Sequence, residues 1–451
     1  MRAWLLGLIP LLVWGCDDSG TPLPAPDRIQ WARSIGSPEE DVSQSFDLGP
    51  LEQGVLAVRS RGELEIGDRR FSEVRIPRTV LVRFDRSGEL SSFTSLSPAE
   101  QAEPVDLFEL EVATDPLQNV VLAGSLVGAD FVLEDGTVLA RRGSSSFDPF
   151  VALLRPDGST LWAVRGEQAR VQHLAVGTAG LWIAGRATGA VAFDDFTAQT
   201  EAGDAFVARL GAEGTIEVFV RFSGDGLRID DLDVGPAGVY VAGESEGDLV
   251  LSSSLERYPG AGPFVARLGV RFGRPDWVRT ELLAPATASI RSVRARDGVA
   301  FVFGRYSGAP PELPNGQDDV WIGRLDEEGQ LGGLSSIGVR GQISLSSAAP
   351  DGAGGLWLSG SFRDQLEFGE RLLDSGGGLV GFLGRIGRDG QAEWLETLGS
   401  GPGVRAAAQL SATPSGDVVL VGVFEGPLTL LDREIQGQGD TDVLLIRYRG
   451  R

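Results

Sequence analysis

The chain offers few side chains for nucleophilic or acid–base catalysis. His173 is the only histidine in 451 residues, and no G-x-S-x-G motif accompanies it, so a Ser-His-Asp arrangement is not indicated. Cys16 is the only cysteine and stands near the start of the chain. Cys-His catalysis is therefore not indicated, and a zinc site of the usual histidine and cysteine ligands is excluded. Catalysis would have to rely on carboxylates.

Two groups of carboxylates remain as candidates. Glu109 and Glu111 are two residues apart, and such residues share one face of a β-strand. At a channel they could serve acid–base chemistry, although a solvated lining is more typical of such residues. The segment 225–233 (DGLRIDDLD) lacks the D-x-[DN]-x-[DN]-G spacing of calcium loops, so we interpret it as an acidic turn. We predict no metal site and no cofactor, and we assign no catalytic residue.

These candidates must be positioned by a pattern that recurs along most of the chain. A short apolar run ending in G-x-x-x-G occupies 120–128, 181–189, 239–247, 300–308 and 418–426, with degenerate copies at 55–62 and 356–364. A second apolar run closed by a turn follows each copy. Short apolar runs bounded by turn residues predict β-strands. A period of about 60 residues predicts a propeller or a solenoid.

Residues that recur in most copies belong to the architecture, because several equivalent positions cannot all form one active site. Six of the seven second runs carry an arginine near their end, namely Arg83, Arg209, Arg267, Arg324, Arg385 and Arg447. We expect these arginines to bridge to backbone or carboxylates of a neighbouring repeat. Tryptophans follow the turn at Trp162, Trp277 and Trp394, and we expect them to form apolar core between repeats.

The two ends of the repeat array are complementary. Residues 29–35 (IQWARSI) resemble the tryptophan-bearing strand although no repeat precedes them, and the seventh copy stops where that strand should begin. We therefore predict an all-β fold over 29–451, a single seven-bladed β-propeller closed by the N-terminal strand, with six or eight blades as alternatives. Trp31 would be the most sensitive residue of the closure. The blades would span about 37–100, 101–165, 166–224, 225–284, 285–338, 339–400 and 401–451 together with 29–36.

The repeat resembles a known bacterial family. The G-x-x-x-G tail, the run D-A-F-V-A-R-L at 204–210 and the following tryptophan are similar to the SBBP-type β-propeller repeat, over about 37–451. This resemblance implies a β-propeller. It also implies a secreted protein or a surface lipoprotein whose role is unassigned.

The start of the chain resembles a bacterial lipoprotein signal with its lipobox. Arg2 precedes an apolar segment at 5–13, and V-W-G-C ends at Cys16. The resemblance implies a signal peptide at 1–15, a lipidated Cys16 and a location in the bacterial cell envelope, on the periplasmic or outer-surface side of a membrane. An ordinary cleaved signal with an incidental cysteine is the alternative. Residues 16–28 contain three prolines and predict an extended tether.

Charge and composition narrow the class of partner. The 63 acidic and 40 basic side chains give a net charge of −23, which disfavours nucleic acid because binding phosphates needs clustered positive charge. We expect a non-enzymatic binding or scaffold module for a protein or glycan, attached to a membrane by its lipid. The alternative is a carboxylate-dependent glycosidase or lyase with its site at the channel mouth. The loop 310–316 (PPELPNG) occurs in one repeat only and is a candidate contact for a partner.

Overall fold

The computed structural model describes residues 28–66, 69–71, 78–96, 105–141, 147–280, 282–283, 287–296, 298–308, 316–369, 371–388, 390–398, 404–430 and 433–450. The predicted signal peptide, Cys16, most of the tether and the loop residues 310–315 lie outside this part. The fold is all-β, as the sequence predicts. Within the described ranges, no helix has the length and apolar character needed to cross a membrane.

Most strands are short, as the apolar runs between turn residues predict. They are β1 (Ile29–Gly36), β2 (Asp41–Leu48), β3 (Gly54–Ser60), β4 (Leu64–Ile66), β5 (Arg69–Phe71), β6 (Arg78–Phe84), β7 (Leu90–Ser95), β8 (Val105–Thr114), β9 (Val120–Gly128), β10 (Phe131–Val132), β11 (Val138–Leu139), β12 (Asp148–Leu154), β13 (Thr160–Gly177), β14 (Gly180–Phe193), β15 (Phe196–Ala198), β16 (Ala205–Leu210), β17 (Ile216–Ser223), β18 (Arg228–Gly235), β19 (Gly238–Ser245), β20 (Leu249–Leu251), β21 (Arg257–Tyr258), β22 (Gly262–Leu268), β23 (Pro275–Thr280), β24 (Thr287–Ala288), β25 (Ser292–Arg296), β26 (Val299–Gly308), β27 (Gly316–Leu325), β28 (Leu331–Pro350), β29 (Leu356–Phe368), β30 (Arg371–Ile386), β31 (Ala392–Leu398), β32 (Val404–Ala412), β33 (Val418–Phe424), β34 (Leu428–Leu430), β35 (Arg433–Ile435) and β36 (Asp442–Tyr448).

Most strands pair antiparallel in meanders of four. In chain order the meanders are β2-β3-β6-β7, β8-β9-β12-β13, β13-β14-β16-β17, β18-β19-β22-β23, β25-β26-β27-β28, β28-β29-β30-β31 and β32-β33-β36-β1. Two long strands belong to two meanders each. The first half of β13 pairs with β12 and its second half with β14; β28 pairs in the same way with β27 and β29.

The last meander takes its fourth strand from the beginning of the described chain. β1 pairs antiparallel with β36, in a register that runs from Ile29 opposite Tyr448 to Ile35 opposite Val443. The first strands of the meanders also contact one another in sequence. β2 contacts β8, β8 contacts β13, β13 contacts β18, β18 contacts β25, β25 contacts β28, β28 contacts β32, and β32 contacts β2.

Apolar side chains fill the space between adjacent meanders, and the recurring tryptophans belong to these clusters. Trp162 packs on the turn glycine Gly214 of the next meander, where an added Cβ would stand 2.6 Å from the ring. Trp277 packs on Gly329 in the same way. The prediction that these tryptophans form core between repeats is therefore confirmed.

The recurring arginines divide into two groups. Arg83 donates to the carbonyl oxygen of Gln118 at 3.1 Å, and Arg209 donates to that of Val270 at 2.7 Å. Both acceptors lie in the next meander. Arg447 likewise reaches the first meander, where it donates to the carbonyl oxygen of Arg86 at 3.2 Å and pairs with Glu52 at 2.6 Å. The predicted bridging is therefore confirmed for these three arginines. Arg385 instead binds Asp351 of its own meander, with 2.6 Å between Nη2 and Oδ2.

Candidate functional site

The first strands of all the meanders line one cavity of about 530 Å³. Each of the seven strands contributes at least one side chain, including Asp47, Glu111, His173, Asp231, Arg294, Ser347 and Gln409. The cavity thus unites residues far apart in the sequence. Three features singled out from the sequence meet here: Glu111, His173 and the carboxylates of 225–233.

β-Bulges in these strands determine which side chains reach the cavity. Register shifts occur between Val171 and His173 in β13 and between Ile229 and Asp231 in β18. Equivalent shifts occur in β2, β8, β28 and β32. A bulge adds one unpaired residue and re-aims the side chain that follows it. The residue directly after the bulge lines the cavity in five of the strands, as Glu111, His173, Asp231, Ser347 and Gln409.

The expectation that Glu109 and Glu111 share one face is wrong. A bulge between Phe108 and Glu111 interrupts the alternation of β8, and Glu109 takes a left-handed φ of 54°. Glu111 faces the cavity, whereas Glu109 is exposed and accepts a hydrogen bond of 3.1 Å from Nε2 of Gln172. The two carboxylates therefore cannot work as a pair on one surface.

The interpretation of 225–233 as an acidic turn is also wrong for its second half, which belongs to strand β18. Asp231 Oδ2 accepts a hydrogen bond of 2.9 Å from the backbone N–H of Val293, and it also accepts from Ser292 and Arg294. Asp233 Oδ2 accepts from the N–H of Ala295 at 2.7 Å. These carboxylates tie β18 to the neighbouring strand β25.

Hydrogen bonds from a backbone N–H to a side-chain oxygen also join other neighbouring strands. Asp47 Oδ2 accepts a hydrogen bond of 2.7 Å from the N–H of Thr114, and Ser347 Oγ accepts one of 3.1 Å from the N–H of Leu410. Burial raises the pKa of Asp47 and of Asp233, while the bonds from backbone N–H groups oppose that rise. The polar side chains at these positions connect the first strand of one meander to the first strand of the next.

Glu111 has the most unusual acidity in the cavity. The only hydrogen bond of its carboxylate among the described residues is donated by Ser45 Oγ to Oε2 at 3.0 Å. Burial raises the pKa of Glu111 to about 7; Asp231 adds to the rise, and Arg294 opposes it. Near neutral pH this carboxyl is therefore present both protonated and ionised, and it can accept or donate a proton.

His173 is held by the backbone. Its Nε2 lies 3.2 Å from the carbonyl oxygen of Ile229, so this nitrogen carries the hydrogen and donates it. The adjacent Asp230 pairs with Arg228, with 2.9 Å between Oδ1 and Nε. Within the described ranges, no three His, Cys, Asp or Glu side chains come together as a possible metal-binding group.

Sequence reasoning missed Arg294 and Asp47. Asp47 lies two residues after the bulge of β2, and Arg294 holds the equivalent register position in β25, where other repeats carry Ala113, Ala175 or Ala349. Arg294 donates from Nε to the carbonyl oxygen of Ala348 at 3.0 Å and so links β25 to β28. The signal that could have revealed Asp47 and Arg294 was a charged residue at a repeat position where several other repeats carry alanine.

No protein-family model matches the chain, and no curated protein matches it. Several solved structures resemble it weakly. A protein of unknown function from Dyadobacter fermentans DSM 18053 is 12% identical with a TM-score of 0.41, over 94% of this chain and 99% of that one. The polysaccharide lyase Uly1 is 9% identical with a TM-score of 0.46, over 93% and 99%. The NanB sialidase from Streptococcus pneumoniae is 13% identical with a TM-score of 0.36, over 92% and 70%. Likeness at this level assigns no activity to the chain.

Proposed function

We propose that the chain forms a seven-bladed β-propeller of SBBP-type repeats, closed by β1. Two observations support a ring. The first strands of the meanders contact one another in an order that returns from β32 to β2, and all seven line the same cavity. The pairing of β1 with β36 supports closure by the N-terminal strand, because such pairing removes the exposed edges of the first and last strands.

We further propose that this propeller is a non-enzymatic binding module for a polar ligand, a protein segment or a glycan, which enters the cavity. The observation that carries this proposal is the use of the cavity carboxylates. Asp47, Asp231 and Asp233 each accept a hydrogen bond from the backbone of the next strand. Carboxylate oxygens that are occupied in this way connect neighbouring strands, so they have fewer lone pairs free to act as a base or a nucleophile on a ligand.

Binding without turnover is the expected behaviour. A glycan array and calorimetric titration of the purified chain should identify a ligand that is recovered unchanged. Gln409→Ala and His173→Ala should weaken its binding at least about tenfold, a loss of about 1.4 kcal/mol. Leu117→Ala changes an exposed residue outside the cavity and should bind as the parent does. Product formation that follows the cavity residues would overturn the proposal.

Glu111 favours a second candidate, an envelope glycosidase or lyase. A cavity-facing carboxyl with a pKa of about 7 can act as a general acid. Glycoside hydrolysis ordinarily needs a second carboxylate, and Asp231, which acts on the pKa of Glu111, already accepts three hydrogen bonds. This candidate predicts that a panel of polysaccharides and glycosides yields a product that disappears in Glu111→Gln and persists in Glu109→Gln.

We also propose that Cys16 carries a lipid that attaches the protein to a membrane of the bacterial cell envelope. The V-W-G-C segment and the proline-containing tether support this proposal. Cys16→Ser should move the protein from the membrane fraction to the soluble fraction. Unchanged retention of the variant in membranes would contradict it.

A further inference from the structure

Two buried aspartates meet where the seventh meander joins the first. Asp41 is the first residue of β2 and Asp442 is the first residue of β36. The backbone N–H of Asp41 donates to the carbonyl oxygen of Thr441 at 2.8 Å, which holds the two strand starts side by side. The exposed fraction of each aspartate is 0%. Two carboxylates are therefore withdrawn from water at one junction.

Three of their four oxygens lack a donor. Oδ1 and Oδ2 of Asp41 and Oδ1 of Asp442 accept no hydrogen bond from any described residue. Only Oδ2 of Asp442 is satisfied, by the backbone N–H of Gln438 at 2.7 Å and by that of Gly439. Ser37 and Ser60 lie beside the Asp41 carboxylate, but neither donates to it with hydrogen-bond geometry. An ionised carboxylate left in this state is strongly unfavourable.

Two other repeats supply a cation at the equivalent position. Asp148 begins β12 as Asp442 begins β36, and Asp204 directly precedes β16. Each forms an ion pair with an arginine of the outer strand: Asp148 with Arg165 at 2.8 Å, Asp204 with Arg221 at 2.7 Å. These arginines stand opposite the residue two positions after the aspartate. In the seventh meander that register position is occupied by Ser34, opposite Leu444. β1 therefore supplies no arginine to Asp442, unlike the outer strands of the second and third meanders.

We infer that a calcium ion binds between Asp41 and Asp442 and replaces this missing charge. The available ligands are all oxygens: the unpartnered carboxylate oxygens, the nearby hydroxyls of Ser37 and Ser60, and water. Oxygen ligands from carboxylates, hydroxyls and water suit Ca²⁺, whereas sites for Zn²⁺ and other transition metals usually include nitrogen or sulfur. The ion would stabilise the junction between β2 and β36, next to the pairing of β36 with β1.

Calcium titration of the full purified chain tests the inference. After treatment with EGTA, calorimetry with CaCl₂ should show one Ca²⁺ bound per chain, and saturation should raise the Tm by about 2 °C or more. Asp41→Asn and Asp442→Asn should each abolish both effects. Asp204→Asn, which changes the equivalent residue in an arginine-paired position, should lower the Tm but keep the full response to calcium.

A gain-of-charge variant gives an independent result. Ser34→Arg places a guanidinium at the register position of Arg165 and Arg221, so it should raise the Tm of the EGTA-treated protein and weaken calcium binding at least about tenfold. The inference is overturned if the EGTA-treated chain binds no Ca²⁺ at about 5 mM CaCl₂, well above the range of extracellular calcium modules. It is also overturned if calcium binding persists unchanged in Asp41→Asn, or if only acidification stabilises the protein, which would mean that the pair shares a proton.

Discussion

The indole ring of Trp31 lies directly against Gly88, so that a Cβ on Gly88 would stand 2.7 Å from Cδ2 of the ring. Nε1 of Trp31 also donates to the carbonyl oxygen of Arg86 at 3.0 Å. The contact has the form of the pairs Trp162 with Gly214 and Trp277 with Gly329 inside the array. The N-terminal strand therefore packs on the first meander as the outer strands of other meanders pack on their successors.

Trp31→Ala should destabilise the protein by about 3–5 kcal/mol, because it removes a large buried ring and leaves a cavity. Urea unfolding followed by tryptophan fluorescence and circular dichroism measures the change. Leu117→Ala, at a side chain that is 77% exposed, should stay within about 0.5 kcal/mol of the parent. A Trp31→Ala protein as stable as the Leu117→Ala control would mean that β1 is dispensable.

Gly88→Ala should cost more free energy of unfolding than Gly136→Ala. Both glycines have left-handed φ values, 77° and 86°, so both variants pay a backbone cost of about 1–2 kcal/mol. The new Cβ at Gly136 meets nothing within 4 Å, whereas at Gly88 it collides with Trp31. We expect the collision to add about 1–3 kcal/mol. Equal losses in urea unfolding would show that the ring contact does not limit this position.

Glu111→Gln should change how stability depends on pH. The folded pKa of Glu111, about 7, lies above its ordinary value of 4.5, so the folded state binds the extra proton and stability is lost as pH rises from about 4.5 to 7. The variant lacks this loss. It should match the parent at pH 4 and exceed it at pH 8 by up to about 3 kcal/mol.

Urea unfolding at several pH values provides the comparison, with Glu109→Gln as the control because Glu109 is exposed and outside the cavity. Other carboxyls with raised pKa values are present in the parent and in both variants. Their contribution to the free energy of unfolding therefore cancels when a variant is compared with the parent. Parallel pH profiles for Glu111→Gln and the parent would refute a raised pKa at this site.

Arg165→Met should be far more damaging than Arg257→Met. Arg165 is buried against Asp148 and also donates to the carbonyl oxygens of Ala129 and Leu139. Its loss leaves a buried carboxylate without its cation and should cost about 3–5 kcal/mol. The pair of Arg257 with Asp248 is exposed and should contribute about 1 kcal/mol or less. Thermal unfolding at low and high salt separates the two, since only the exposed pair is screened.

The sequence predicted the strands and the pairing of β1 because both depend on local patterns that recur. Turn glycines, apolar runs and tryptophans repeat at nearly constant spacing, so each copy corroborates the others. The cavity was harder to predict. The lining depends on bulges, and a single inserted residue reverses which side chains face inward; the exposed position of Glu109 beside the inward Glu111 is the clearest case.

Charged residues that connect strands were also hidden from sequence reasoning. Asp231 and Arg294 are 63 residues apart, and their contact exists only because two first strands run side by side. The sequence pattern indicated a solvated turn at Asp233, whereas its carboxylate accepts a hydrogen bond from the backbone N–H of Ala295 in β25. Periodicity identifies the strands but carries no information on which polar atoms meet across a junction.

The two long strands, β13 and β28, affect how the molecule responds to force and to proteases. Each continues without a loop from the edge of one meander into the next, so the second and third meanders, and likewise the fifth and sixth, share one unbroken backbone. A force applied to one of the two meanders is transmitted along the shared strand to the other. The shared strand also leaves no loop between the two meanders for a protease to cleave. Under load the molecule should therefore come apart in pairs of meanders at these places rather than one meander at a time.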